Sequence, residues 1–157
     1  MDDLISEYKE VFEGIPWHSE SIMESIEKVP LEYYDQKLAG AHHTIGELIQ
    51  HMIDWRIFVM EKIKKNEAFD IVINTPSDWK EIVQVSTEDD KINLLHQLKA
   101  TQAQILELFS RLKEEDLTEI VYGKPYNIHY MIKGIIDHDI YHQGQINLMR
   151  IIFDSQA

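Results

Sequence analysis

The chain has 157 residues, and its fifteen Lys and Arg against 28 Asp and Glu leave a formal charge of −13. That balance argues against general binding to nucleic acid, which rests on clustered Lys and Arg against phosphate. Cysteine is absent, which excludes disulfides, thiolate metal sites and a cysteine nucleophile, and leaves His, Asp and Glu as metal ligands. The length suits one domain, residues 1–157.

Four prolines and six glycines punctuate the chain sparsely, and the segments between them carry helical periodicity. Asp2 to about Glu13 spaces Leu4, Ile5, Tyr8, Val11 and Phe12 as one apolar face. Gly14-Ile15-Pro16 interrupts it, and a second stretch from about Ser19 to Lys28 follows; the two form one kinked helix or two. Thr44-Ile45-Gly46-Glu47 reads as a capping box, opening a helix whose face is Ile45, Leu48, Met52, Trp55 and Val59 and which ends near Asn66. Glu67 to Ser86 reads as a long loop with a short helical turn around Trp79. Within it, Ile71-Val72-Ile73 and Ile82-Val83 could make small strands, too few for a sheet core.

Thr87 caps the next helix, with Asp89 and Asp90 in its positive first turn. Its stripe is Ile92, Leu95, Leu98, Ile105, Leu106, Phe109 and Leu112. After Gly123-Lys124-Pro125, Asn127 caps a last helix from Ile128 to about Phe153. Four long amphipathic segments predict an all-α, antiparallel four-helix bundle with a long loop between its second and third helices. The longest stretch free of Asp, Glu, Lys and Arg runs only from Ile140 to Met149, against about 20 residues for a membrane span. The acidic opening Met1-Asp2-Asp3 does not resemble a secretory signal, and a cytoplasmic location is expected.

Eight histidines are present. His18, His42, His43, His96 and His129 fall at turns, before a cap or among polar neighbours. His138 and His142 stand one turn apart on the last helix, and His138, Met131, Ile135, Ile146, Met149 and Phe153 all lie within about 40° of His142 at a pitch of about 100° per residue. One such pair by chance carries little weight in a histidine-rich chain. In an apolar seam, however, the ring nitrogens need partners, and a shared cation supplies one. His51 borders the buried face of the second long helix, between Leu48 and Trp55. Histidines from facing helices then make a three-nitrogen site with open positions. A zincin is excluded because His138 is followed by Asp139-Ile140-Tyr141 rather than by the required glutamate. A di-iron carboxylate bundle is excluded because Asp139-x-x-His142 stands alone.

Thr44-Ile45-Gly46-Glu47-Leu48-Ile49-Gln50-His51-Met52-Ile53-Asp54-Trp55 resembles the second-helix motif of DinB-like proteins, a superfamily named after a DNA-damage-inducible bacterial protein. His138-Asp139-Ile140-Tyr141-His142-Gln143-Gly144-Gln145-Ile146 resembles its last-helix motif. Ile15-Pro16-Trp17 and Asp78-Trp79 fit a common subgroup. The resemblance implies a four-helix bundle, often a homodimer, with a divalent metal, zinc or nickel, on His51, His138 and His142. It also implies thiol S-transfer with a low-molecular-weight thiol cosubstrate in some relatives and maleylpyruvate isomerisation in others.

The leading expectation is therefore a metal-dependent thiol S-transferase or hydrolase acting on a small molecule. The alternative is a non-enzymatic metal-binding or stress-response module, and a blander one makes the histidines core polar groups. Asp139 and Asp54 are candidates to orient an imidazole or move a proton, against a competing reading as surface acids. Tyr141 reads as packing, and Gln145 is no more than a candidate partner for metal-bound water. The amphipathic first segment could serve as a partner surface in a dimer.

Overall fold

A computed structural model describes residues 1–80 and 83–156. Its regular elements are five helices: α1 (Asp2–Glu13), α2 (Ile22–Glu27), α3 (Ile45–Ile63), α4 (Glu88–Arg111) and α5 (Ile128–Gln156). Short 3₁₀ turns lie at Leu31–Tyr33 and Asp116–Thr118. Among the described residues the only β-type pairing is one bridge between Ile120 and Asn127. Ile71-Val72-Ile73 forms no strand, and only Ile71 of the three is buried. Of the second candidate strand, Ile82 lies outside the described residues.

The first two helical stretches are separate helices. Gly14 ends α1 by donating its N–H to the Glu10 carbonyl at 2.9 Å. A Cβ there would lie 2.7 Å from the Glu10 Cα, so no larger residue makes this stop. α2 starts at Ile22, later than the spacing predicts, because Ser21 caps it, its hydroxyl accepting from the Glu24 N–H at 3.2 Å.

The caps of the long helices form as read. Thr44 and Glu47 exchange both bonds of a capping box, as do Thr87 and Asp90. The Asn127 side chain accepts from the Tyr130 N–H at 2.9 Å. The stripe of α4 is rotated from the expected one. Leu94, Leu98, Ile105 and Phe109 are buried, whereas Ile92 faces outward and Leu95, Leu106 and Leu112 are half-buried. Thr101 and Gln102 complete the inner face, and the Thr101 hydroxyl bonds the Leu98 carbonyl.

α3 packs against both α4 and α5, while α1 lies against α2, α4 and α5. Central placement buries α3 nearly all round, including Arg56, which is fully enclosed. Its Nε and Nη2 donate to Asp139 Oδ2 of α5 at 2.9 and 2.8 Å, and Nη1 donates to the Leu98 carbonyl of α4 at 3.2 Å. The Tyr8 hydroxyl of α1 donates to the same Oδ2 at 2.7 Å. The guanidinium lies over the Phe12 ring, 4.8 Å from its centroid. Burial alone would raise the Asp139 carboxyl, but the adjoining guanidinium holds it below its ordinary range. Asp139 is thus a core charge and not a surface acid. Asp54 is also buried, accepting from Gln50 and Lys80.

A second polar joint fastens α2 to α5. Gln143 donates to the Glu20 carbonyl and to Ser25, and Asn147 donates to the same Ser25 hydroxyl. α1 spends its apolar face, Leu4, Tyr8, Val11 and Phe12, inside the chain, so that stripe is not left over as a partner surface.

Removing one member of a buried ion pair leaves the other without compensation and costs about 3–5 kcal/mol. Arg56→Met should lower the unfolding free energy by about that amount in urea titration. The matched triple variant Arg56→Met, Asp139→Leu, Tyr8→Phe should recover much of the loss, since it strands no polar group.

Candidate metal centre

α3 delivers His51, and α5 delivers His138 and His142. Each offers one ring nitrogen to a cluster whose members all lie within 4.8 Å of one another. His138 Nε2 is 3.1 Å from His51 Nε2 and 3.1 Å from His142 Nε2. His51 and His142 are buried, while the His138 side chain keeps 24% of its surface open.

The outer nitrogens decide what the inner ones can be. His51 Nδ1 lies 2.8 Å from the Asp78 main-chain carbonyl, which can only accept, so the ring proton is on Nδ1 and Nε2 is bare. His142 Nδ1 lies 2.6 Å from Gln145 Oε1, another acceptor, and its Nε2 is bare likewise. His138 can give a proton to only one of the two bare nitrogens it faces. At least one 3.1 Å contact therefore sets lone pair against lone pair, which a cation at their convergence would relieve. Burial lowers the His51 pKa, and burial with the neighbouring His138 lowers that of His142 to about 4, so both rings stay neutral near pH 7. Neutral imidazoles with fixed tautomers are what metal ligation requires. The donor set fits a divalent transition metal.

His138 differs from its partners. Its Nδ1 is buried with no hydrogen-bond partner, and the unpartnered Asp139 Oδ1 lies 3.8 Å away. That is beyond hydrogen-bond length, so no bond ties Asp139 to the ring.

The loop between α3 and α4 closes one side of the site. The Thr75 carbonyl accepts from the N–H groups of both Asp78 and Trp79 at 2.9 Å, a hydrogen-bonded turn where the sequence suggests a short helical one. Asp78 then serves three groups. Its carbonyl holds His51, and its carboxylate accepts from the Trp55 indole at 2.9 Å and the Asn74 N–H at 2.8 Å. Trp79 lies flat on His51, with centroids 3.8 Å apart, and His43 lies flat on the other face of Trp79 at 3.4 Å. A cavity of about 560 Å³ opens beside the three histidines, walled mainly by Trp55, Phe58, Trp79, Tyr126, Met131 and Ile135.

The predicted triad comes together, and His18, His42, His96 and His129 stay exposed and outside it. Gln145 grips a histidine instead of facing a bound water. Tyr141 is exposed and lines the cavity, so it is not a packing residue. Neither Asp54 nor Asp139 lines the cavity. Sequence reasoning missed Arg56, His43 as the support of Trp79, and the bonding of Asp78.

The family model described as the DinB superfamily matches residues 17–146. No curated protein matches the chain.

Long-range ¹H–¹⁵N spectra of the metal-free protein should show His51 and His142 as Nδ1–H tautomers. Gln145→Leu should release His142 into a tautomer mixture and leave His51 unchanged. Nε2–H rings at both positions in the unaltered chain would contradict the geometry.

Proposed function

The chain belongs to the DinB superfamily, and from that premise we propose a metal-dependent enzyme of the thiol S-transferase or hydrolase type. His51, His138 and His142 hold one divalent ion, zinc or nickel. The observation that carries this reading is the convergence of three imidazole nitrogens at the edge of an apolar cavity, with two of them left bare by their outer hydrogen bonds. Such an ion, when bound, supplies Lewis acidity that brings a thiol or water toward its anion near neutral pH.

The chain's own groups do the positioning. The Asp78 carbonyl and Gln145 Oε1 hold the Nδ1 protons outward, and Trp79 covers His51 against solvent. A chain without cysteine takes any thiol from a cosubstrate. A cavity reaching the histidines favours catalysis over a sealed metal-sensing or stress-response module, in which side chains would close over the ion. We read α1, α3, α4 and α5 as the antiparallel four-helix bundle of the superfamily, and the chain as a cytoplasmic homodimer. No described helix is long and apolar enough to cross a membrane. Leu148 and Ile151 on α5 are exposed and available to a second copy.

Purified protein stripped with chelator should take up one zinc or nickel per chain by elemental analysis. His51→Ala, His138→Ala and His142→Ala should each weaken uptake at least about 100-fold, since losing even an outer-sphere partner costs about 10–100-fold. His96→Ala should leave it unchanged. Conjugation of several low-molecular-weight thiols, or ester hydrolysis, should appear only in the loaded protein. A chain that takes up no transition metal sinks the proposal.

A further inference from the structure

The cavity beside the histidines is built for rings more than for charges. Among its described lining residues there is no Lys or Arg, and the one carboxylate, Asp78, is already engaged by Trp55 and Asn74. Apart from an ion on the three histidines, a ligand carrying several charges finds no cationic side chain on these walls, and most of its charge loses hydration without compensation. Flat faces and branched carbons such as Trp55, Phe58 and Ile135 instead suit an uncharged ring system.

Gly134 sharpens this. It sits inside α5, one turn before His138, and lines the same cavity. Helix interiors disfavour glycine, whose backbone loses the most freedom on folding. The usual compensations are missing here, because φ is not positive and a Cβ at 134 would meet nothing within 4 Å. No neighbouring element needs the space, but Gly134 lies on the cavity wall, so a long side chain there would take room from the cavity.

We propose that this cavity binds an uncharged, ring-bearing apolar small molecule as the substrate, and that Gly134 sets the space for its ring. The word substrate rests on the metal-enzyme reading above; the binding itself does not.

The test uses zinc-loaded protein carrying Trp17→Phe, since Trp17 is fully exposed and would add background. N-phenyl-1-naphthylamine, an uncharged ring-bearing probe, is titrated while energy transfer from Trp55 and Trp79 is followed. Saturable binding is expected, weakened at least about tenfold by Gly134→Leu. Gly144→Leu is the control: it lies on the same helix, its Cβ also meets open space, and it is outside the cavity. That variant should bind the probe like the unaltered chain, and both variants should keep its zinc uptake. The sulfonated analogue 1-anilinonaphthalene-8-sulfonate should bind severalfold more weakly than the uncharged probe. Gly134→Ala should raise the melting temperature by about 1–4 °C.

A chain that takes up zinc but binds no probe, or binds it equally with leucine at 134, overturns this proposal and leaves the metal site standing. Equal or tighter binding of the sulfonated analogue, or a fall in melting temperature with alanine, overturns it too. Probe binding that leucine at 134 blocks, in a chain that takes up no zinc, supports the cavity assignment and removes only the metal-enzyme reading.

Discussion

One carboxylate oxygen, Asp139 Oδ2, receives the Tyr8 hydroxyl and two guanidinium nitrogens of Arg56, while the third Arg56 nitrogen reaches the main chain of α4. Four helices therefore meet at one ion pair that water does not reach. Such a pair contributes little net stability over a well-packed apolar substitute, because removing both charges from water costs several kcal/mol each. Its consequence is geometric. A slide of α3 along α5 would separate Arg56 from Asp139 and strand two charges, so the relative position of these helices is fixed where His51 must meet His138.

That constraint also explains the division of labour around the histidines. His138 is adjacent in sequence to the Asp139 anchor, so its backbone is held from beneath. His51 and His142 stand further from the anchor and are held by hydrogen bonds from outside the cluster, one from the loop and one from the next turn of α5. The three rings are thus located by three different means: a buried ion pair, a main-chain carbonyl and a side-chain amide.

Much of this was legible in the sequence. Thr44-x-x-Glu47 and Thr87-x-x-Asp90 are local signals, settled within one helical turn, and both caps form. His138 and His142 could be placed on the inner stripe because α5 is long and Met131, Ile135, Ile146, Met149 and Phe153 keep near the phase of His142. Asp139 and Arg56 were harder, since a charged residue on an amphipathic helix ordinarily faces solvent. A signal existed: Asp139 lies about 60° from His142, and Arg56 about 40° from Met52, both at the flank of a buried face. What no periodicity reveals is that these two flanks meet. Asp78 and Trp79 illustrate the other blind spot, because a loop has no repeating phase from which to read where a carbonyl or an indole will point.

The partner of His51 Nδ1 is the peptide oxygen of residue 78. Every amino acid carries that oxygen, so mutation at 78 cannot delete the acceptor and can only shift it by disturbing the turn. The Asp78 carboxylate, by contrast, can be lost in a single step, and with it the tether on Trp55. The imidazole on α3 thus keeps an acceptor through any substitution at that position, while the indole beside the cavity does not. Descendants of this chain can remodel what the pocket admits before they disturb the ring that faces its chemistry.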